Sequence, residues 1–161
     1  MTNRDFFLAR RKAEYPAFQS VLRALAKDRM DYKPHERSPT AQQLVWTLTA
    51  ELGACTEIID TGGINWNPAT PAPGLDEMIT LFDRHYAGLE ERVRKMDDAG
   101  WTRVGQLRSG GKVMMESPVG EFLWYLLFDA IHHRGQLSAY IRPMGGKVPA
   151  IYGPSADTRG Q

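Results

Sequence analysis

Apolar residues recur along this chain with helical spacing in four long stretches. The first runs from about Asn3 to Lys27, with Phe6, Phe7, Val21, Leu22 and Leu25 as its apolar members, and Pro16 is expected to kink it or open a second piece. Ser38, followed by Pro39, reads as the N-cap of a second helix reaching about Asp60, whose apolar face is Leu44, Leu48, Leu52, Cys55 and Ile59. A third helix spans about Leu75 to Lys95, with Asp76 and Glu77 in its first turn, where the helix dipole favours acids. Ser117-Pro118 opens a fourth, which reaches about Arg142 and stops at Pro143-Met144-Gly145-Gly146.

The connections differ in kind. Asp31 to Thr40 carries two prolines and reads as a loop, and Ile64 to Gly74, with three prolines and two asparagines, reads as an irregular crossover. Trp101 to Glu116, centred on Ser109-Gly110-Gly111, suggests a short hairpin or irregular loop. Four helices of about 20 residues predict an all-α fold, a four-helix bundle with a long crossover between helices 2 and 3, in a single domain over residues 1–161.

Two of these helices break their own pattern. In the fourth, at about 100° per residue, Phe122, Leu126, Asp129, His133, Leu137 and Tyr140 share one face. In the second, Glu51 falls inside the apolar arc, with Thr47 and Ile58 at its edge. A charge on a core face costs several kcal/mol unless it is paired or bound to a metal. Asp129 and His133 lie one turn apart, so they can pair with each other or hold a divalent ion. Glu51, Asp129 and His133 are therefore the candidate metal ligands; Thr47, Cys55, Tyr125, His132 and Gln136 are candidates for the pocket around them. Cys55, with no basic neighbour in sequence, reads as a small core residue rather than a nucleophile. Arg134 points away from the pocket face and is expected to tie helices together or serve an interface, and Gly135 to permit a close helix approach.

Composition narrows the classes. A hydrophobic share of 42% with 24% charged residues is ordinary for a globular domain of 161 residues. The net charge of +1, with scattered Lys and Arg, argues against a nucleic-acid groove. A single cysteine, no secretory signal and no run of about 18 apolar residues give the expectation of a cytoplasmic protein that does not enter a membrane.

The block His132-His133-Arg134-Gly135-Gln136-Leu137, followed by Tyr140 and Arg142-Pro143-Met144-Gly145-Gly146, resembles the last helix of the DinB-like (YfiT-like) metalloenzyme family. Asp31-Tyr32-Lys33-Pro34, leading into Ser38 and Leu44-Val45-Trp46, is similar to that family's first linker and second helix. The resemblance implies an up-down-down-up bundle, a homodimer, and a divalent-metal site of three histidines, one on the second helix and an H-x3-H pair on the fourth. It also implies thiol S-transfer or thiol-dependent isomerisation with a low-molecular-weight thiol. Here Thr47 aligns with the second-helix histidine and Asp129 with the first of the pair, while His133 is retained. Glu51, one turn after Thr47, can substitute, giving a harder donor set suited to Mn, Fe or Zn as well as Ni.

Three functions stay open at this point. One is a metal-dependent enzyme, a transferase using a small thiol. Another is a metal-free small-molecule-binding or stress-response bundle. The last is a structural cluster that fixes helix register.

Overall fold

The computed structural model describes residues 1–67 and 74–159. Its long helices are α1 (Asn3–Arg23), α2 (Ala41–Thr61), α3 (Leu75–Lys95) and, after the short α4 (Asp98–Thr102), α5 (Val119–Ile141). Strands β1 (Gly63–Asn65), β2 (Val104–Ser109) and β3 (Lys112–Pro118) form one sheet in that order. The fold is thus mostly helical with a small sheet, which corrects the all-α expectation.

The local causes are legible residue by residue. Thr2 caps α1 reciprocally with Asp5, and Thr40 caps α2 with Gln43, each hydroxyl accepting from the third backbone N–H while that residue's side chain accepts from the cap's own N–H. That reciprocal pair places the start of α2 after Pro39, two residues beyond the Ser38 cap expected from sequence. Pro16 sits inside α1 without ending it; α1 stops at Arg23, earlier than expected, and a 3-10 turn follows over Lys27–Arg29. Gly62 ends α2 with φ 81°, the left-handed conformation that glycine adopts without a Cβ penalty. Acids in the first turn of α3 and Arg92, Arg94 and Lys95 in its last turn complement its dipole.

Of the hairpin and the irregular loop that Trp101 to Glu116 left open, the hairpin is present. Ser109 pairs with Lys112 across Gly110-Gly111, both at positive φ, as a two-residue turn requires. Strand β1 was not foreseen: it emerges from the proline- and asparagine-rich stretch and pairs parallel to β2, Ile64 beside Leu107. The rest of the expected crossover, residues 68–73, lies outside the described residues.

Helix α2 packs most extensively on α3 and α5, and α1 completes the layer against α5 and α3. Leu44, Leu48, Ile58, Met78, Phe82, Leu89, Phe122 and Leu123 are fully buried between them. The buried face of α2 is turned slightly from the sequence expectation, enclosing Ile58 and leaving Ile59 partly exposed. The sheet lies against α2 and α5, so β1 and β2 wall the space beside their polar residues.

Tight packing at the start of α5 gives a test. A Cβ on Gly120 would overlap the Trp101 ring. Gly120→Ala is expected to cost about 1–3 kcal/mol, as overpacked cores do. Thermal denaturation reads this, and an unchanged Tm would contradict the close approach.

Candidate metal centre

The two polar anomalies converge. Helix α5 places Asp129 and His133 one turn apart, and α2, packed against it, brings Glu51 to the same point. His133 Nε2 lies 3.5 Å from Glu51 Oε1 and 3.7 Å from Asp129 Oδ2. One ligand atom from each of the three residues falls within 4.8 Å of the other two.

The orientation of His133 is set from behind. Its Nδ1 is 2.8 Å from Gln136 Oε1, a carbonyl oxygen that can only accept, so Nδ1 carries the proton. In the neutral ring Nε2 then turns its lone pair toward two carboxylates, the tautomer and orientation usual for a metal-ligating histidine. Glu51 Oε2 is buried with no hydrogen-bond partner. Three electron-rich atoms and an orphaned oxygen leave a centre that lacks positive charge. The 3.5 and 3.7 Å separations fit a shared ion: tetrahedral ligands about 2.1 Å from zinc stand roughly 3.4 Å apart. The residues therefore fit a divalent cation.

Without an ion, the same crowding is relieved by a proton. Burial pushes the Glu51 carboxyl up to about 9, and the neighbouring Asp129 carboxylate, by charge and hydrogen bond, adds to the rise.

The centre opens into a cavity of about 220 Å³. Thr47, Ala54, Ile64, Trp66, Leu107, Phe122, Tyr125 and Leu126 line it beside the three candidate ligands. Thr47 and Tyr125, candidates for the pocket from sequence, are among these lining residues. Gln136 acts on the site through His133. His132 is exposed, its ring centroid 5.4 Å from that of His133. Cys55 lies on another side of Glu51, in a small inner cavity of about 20 Å³ shared with Arg11, Phe18 and Tyr86. Burial pushes its thiol up to about 12, which favours the protonated form over the thiolate that a nucleophile needs.

Sequence reasoning missed the walls supplied by Ile64, Trp66 and Leu107, because strand β1 has no alternating pattern long enough to read and the packing of β2 against the helices is not written in its own residues. It also missed the buried Arg11, whose guanidinium stands 3.9 Å from the Tyr86 ring centroid while Nη2 donates to Tyr86 O. Arg134 does tie helices, through Glu14 of α1. Gly135 faces open space, so the close helix approach expected there is corrected.

The model of the DinB family matches residues 2–159. The chain is 25% identical over 153 residues to YrdA of Bacillus subtilis (strain 168), an uncharacterised protein, covering 95% of this chain and 90% of that one. Two solved structures share the fold. A DinB-like protein from Bacillus subtilis superposes with TM-score 0.69 at 18% identity, covering 95% of this chain and 98% of the other. Another, from Bacillus cereus ATCC 10987, gives TM-score 0.74 at 17% identity over 91% and 95%. With its length matched almost end to end, this chain belongs to the DinB family.

Proposed function

We propose that this protein is a divalent-metal-dependent enzyme acting on a small molecule, with Glu51, Asp129 and His133 as the metal ligands. The observation that carries the reading is the convergence of His133 Nε2 on two carboxylates, with Glu51 Oε2 buried and unpartnered. The long helices α1, α2, α3 and α5 form an up-down-down-up bundle that holds the site between α2 and α5, and a homodimer is its assembled form. An ion bound there supplies Lewis acidity and lowers the pKa of a coordinated donor. Gln136 holds the His133 ring in place, the walls from β1 and β2 exclude water, and the Tyr125 hydroxyl at the mouth offers a hydrogen bond to a substrate. The family resemblance points to a low-molecular-weight thiol as co-substrate; a donor set with two carboxylates, which already balances the ion's +2, disfavours a thiolate there and turns the centre toward a neutral donor.

A second reading has its own support. Protonated Glu51 can hydrogen-bond Asp129 and satisfy the cluster without an ion, as a metal-free binding protein would require. Elemental analysis of tag-free protein separates the two. We expect close to one metal per chain, lost in both Asp129→Ala and His133→Ala. No metal after incubation with manganese, zinc, iron and nickel would select the metal-free protein.

A further inference from the structure

We propose that the cavity beside Glu51, Asp129 and His133 selects an uncharged small molecule, with an apolar body and a neutral oxygen donor such as a carbonyl or hydroxyl, and rejects anions. The inference rests on the metal reading above and narrows its substrate class.

The first support is the wall. Among the described residues, the side chains around the cavity that are not candidate ligands are apolar or carry only a neutral hydroxyl or indole N–H, and none is Lys or Arg. The arginines near this end of the molecule are engaged elsewhere. Arg103 donates to the Ile58 and Ile59 carbonyls that end α2, and Arg108 is held by the Gln106 side chain. An anionic substrate is normally clamped by Arg or Lys, and nothing here performs that task.

The second support is the charge of the centre itself. Two carboxylates and an imidazole bound through Nε2 cancel the +2 of a divalent ion. A neutral donor keeps that balance when it coordinates. A carboxylate or thiolate would place an uncompensated negative charge against apolar walls, with its hydration lost and no cation to offset the loss. A site of three neutral histidines would keep the full +2 and attract the same anion, so replacing histidine by Glu51 and Asp129 changes what the centre selects. Oxygen donors also match the harder ligand set.

The third support is size. A cavity of about 220 Å³ lies below the range of roughly 300–1,000 Å³ that takes drug-sized ligands. Trp66 and Phe122 offer flat apolar surface for a short hydrocarbon body.

Ligand-proton relaxation in the full chain loaded with Mn2+ or Co2+ provides the test, because a paramagnetic ion broadens only ligands held beside it. The probes are butyramide and butyrate, nearly equal in shape and different in charge. Ion uptake is measured first. We expect butyramide to reach half-maximal broadening at a concentration at least tenfold lower than butyrate. Thr47→Lys, at a partly exposed position on the cavity rim, introduces a cation and should narrow or reverse that ratio. Uptake of the ion with butyrate binding as well as or better than butyramide overturns the inference and leaves the metal reading standing. An unchanged ratio in Thr47→Lys overturns the charge argument. Uptake of neither ion, with no zinc, iron or nickel bound by elemental analysis either, overturns the metal reading, and the inference with it.

Discussion

Glu14→Ala is expected to destabilise the protein by about 3–5 kcal/mol, the cost of leaving a buried charge without its partner. Glu14 Oε2 accepts from Arg134 Nη1 at 2.6 Å and from the Tyr152 hydroxyl at 2.7 Å, and Arg134 Nη2 donates to the same hydroxyl at 2.6 Å. The Arg134 guanidinium is 2% exposed at the residue level and lies 4.8 Å from the Phe18 ring centroid, so it cannot swing into water when its partner is removed. One salt bridge thus joins α1 to α5 and anchors the segment after α5 through Tyr152. Urea denaturation measures the loss as a lower midpoint at constant m. Replacing both charges, as in Glu14→Leu with Arg134→Met, should recover most of it, since a packed apolar pair removes the desolvation cost along with the attraction. Tyr152→Phe should cost only about 1 kcal/mol, because the tyrosine is 73% exposed and water can replace its hydroxyl. A loss below about 1 kcal/mol in Glu14→Ala would show that Arg134 finds another way to satisfy its charge.

The contrast between this bridge and the metal centre shows what the sequence could tell. Asp129 and His133 were legible because they interrupt an apolar face at i, i+4, a pattern that helical geometry alone makes conspicuous. Glu51 was legible for the same reason on α2, and its meeting with His133 needed only that the two helices pack together. Arg134 was legible as a residue off the pocket face that ties helices together, but its partner was not: Glu14 lies 120 residues away, beside Arg10, Arg11 and Lys12, where solvent exposure is the default expectation. Their burial is a property of the packed helices. Strand β1 was hidden for a different reason. Three residues carry too little periodicity to read, and their pairing with β2 depends on the position of a hairpin some forty residues later. The caps show a middle case: Thr40-x-x-Gln43 is a readable signal, yet Ser38-Pro39 offers a competing start that only the reciprocal hydrogen bonds resolve. What the sequence shows is fullest where a single helix or one helix pair decides which residues meet, as for Glu51, Asp129 and His133. It thinned where walls come from distant strands.

Glu51 should make the metal-free protein less stable as pH rises, the reverse of what an ordinary salt-bridged carboxylate does. Its folded pKa is raised from 4.5 to about 9, chiefly by burial. Between those values the folded chain keeps a proton that the unfolded chain releases. The contribution is therefore fully present below the unfolded value and is lost progressively as pH climbs toward the folded one. Each pH unit inside that window changes stability by at most about 1.4 kcal/mol. In EDTA, unfolding free energies at pH 5.5, 6.5 and 7.5 should fall in sequence. Glu51→Gln, which keeps the shape but cannot ionise, should remove most of the slope. A divalent ion inverts the relation, because coordination needs the carboxylate and releases its proton. The stability gained from saturating Zn2+ or Mn2+ should consequently grow with pH in the wild type and shrink sharply in Glu51→Gln. Equal pH slopes for wild type and Glu51→Gln without metal would mean that Glu51 is already ionised in the folded chain.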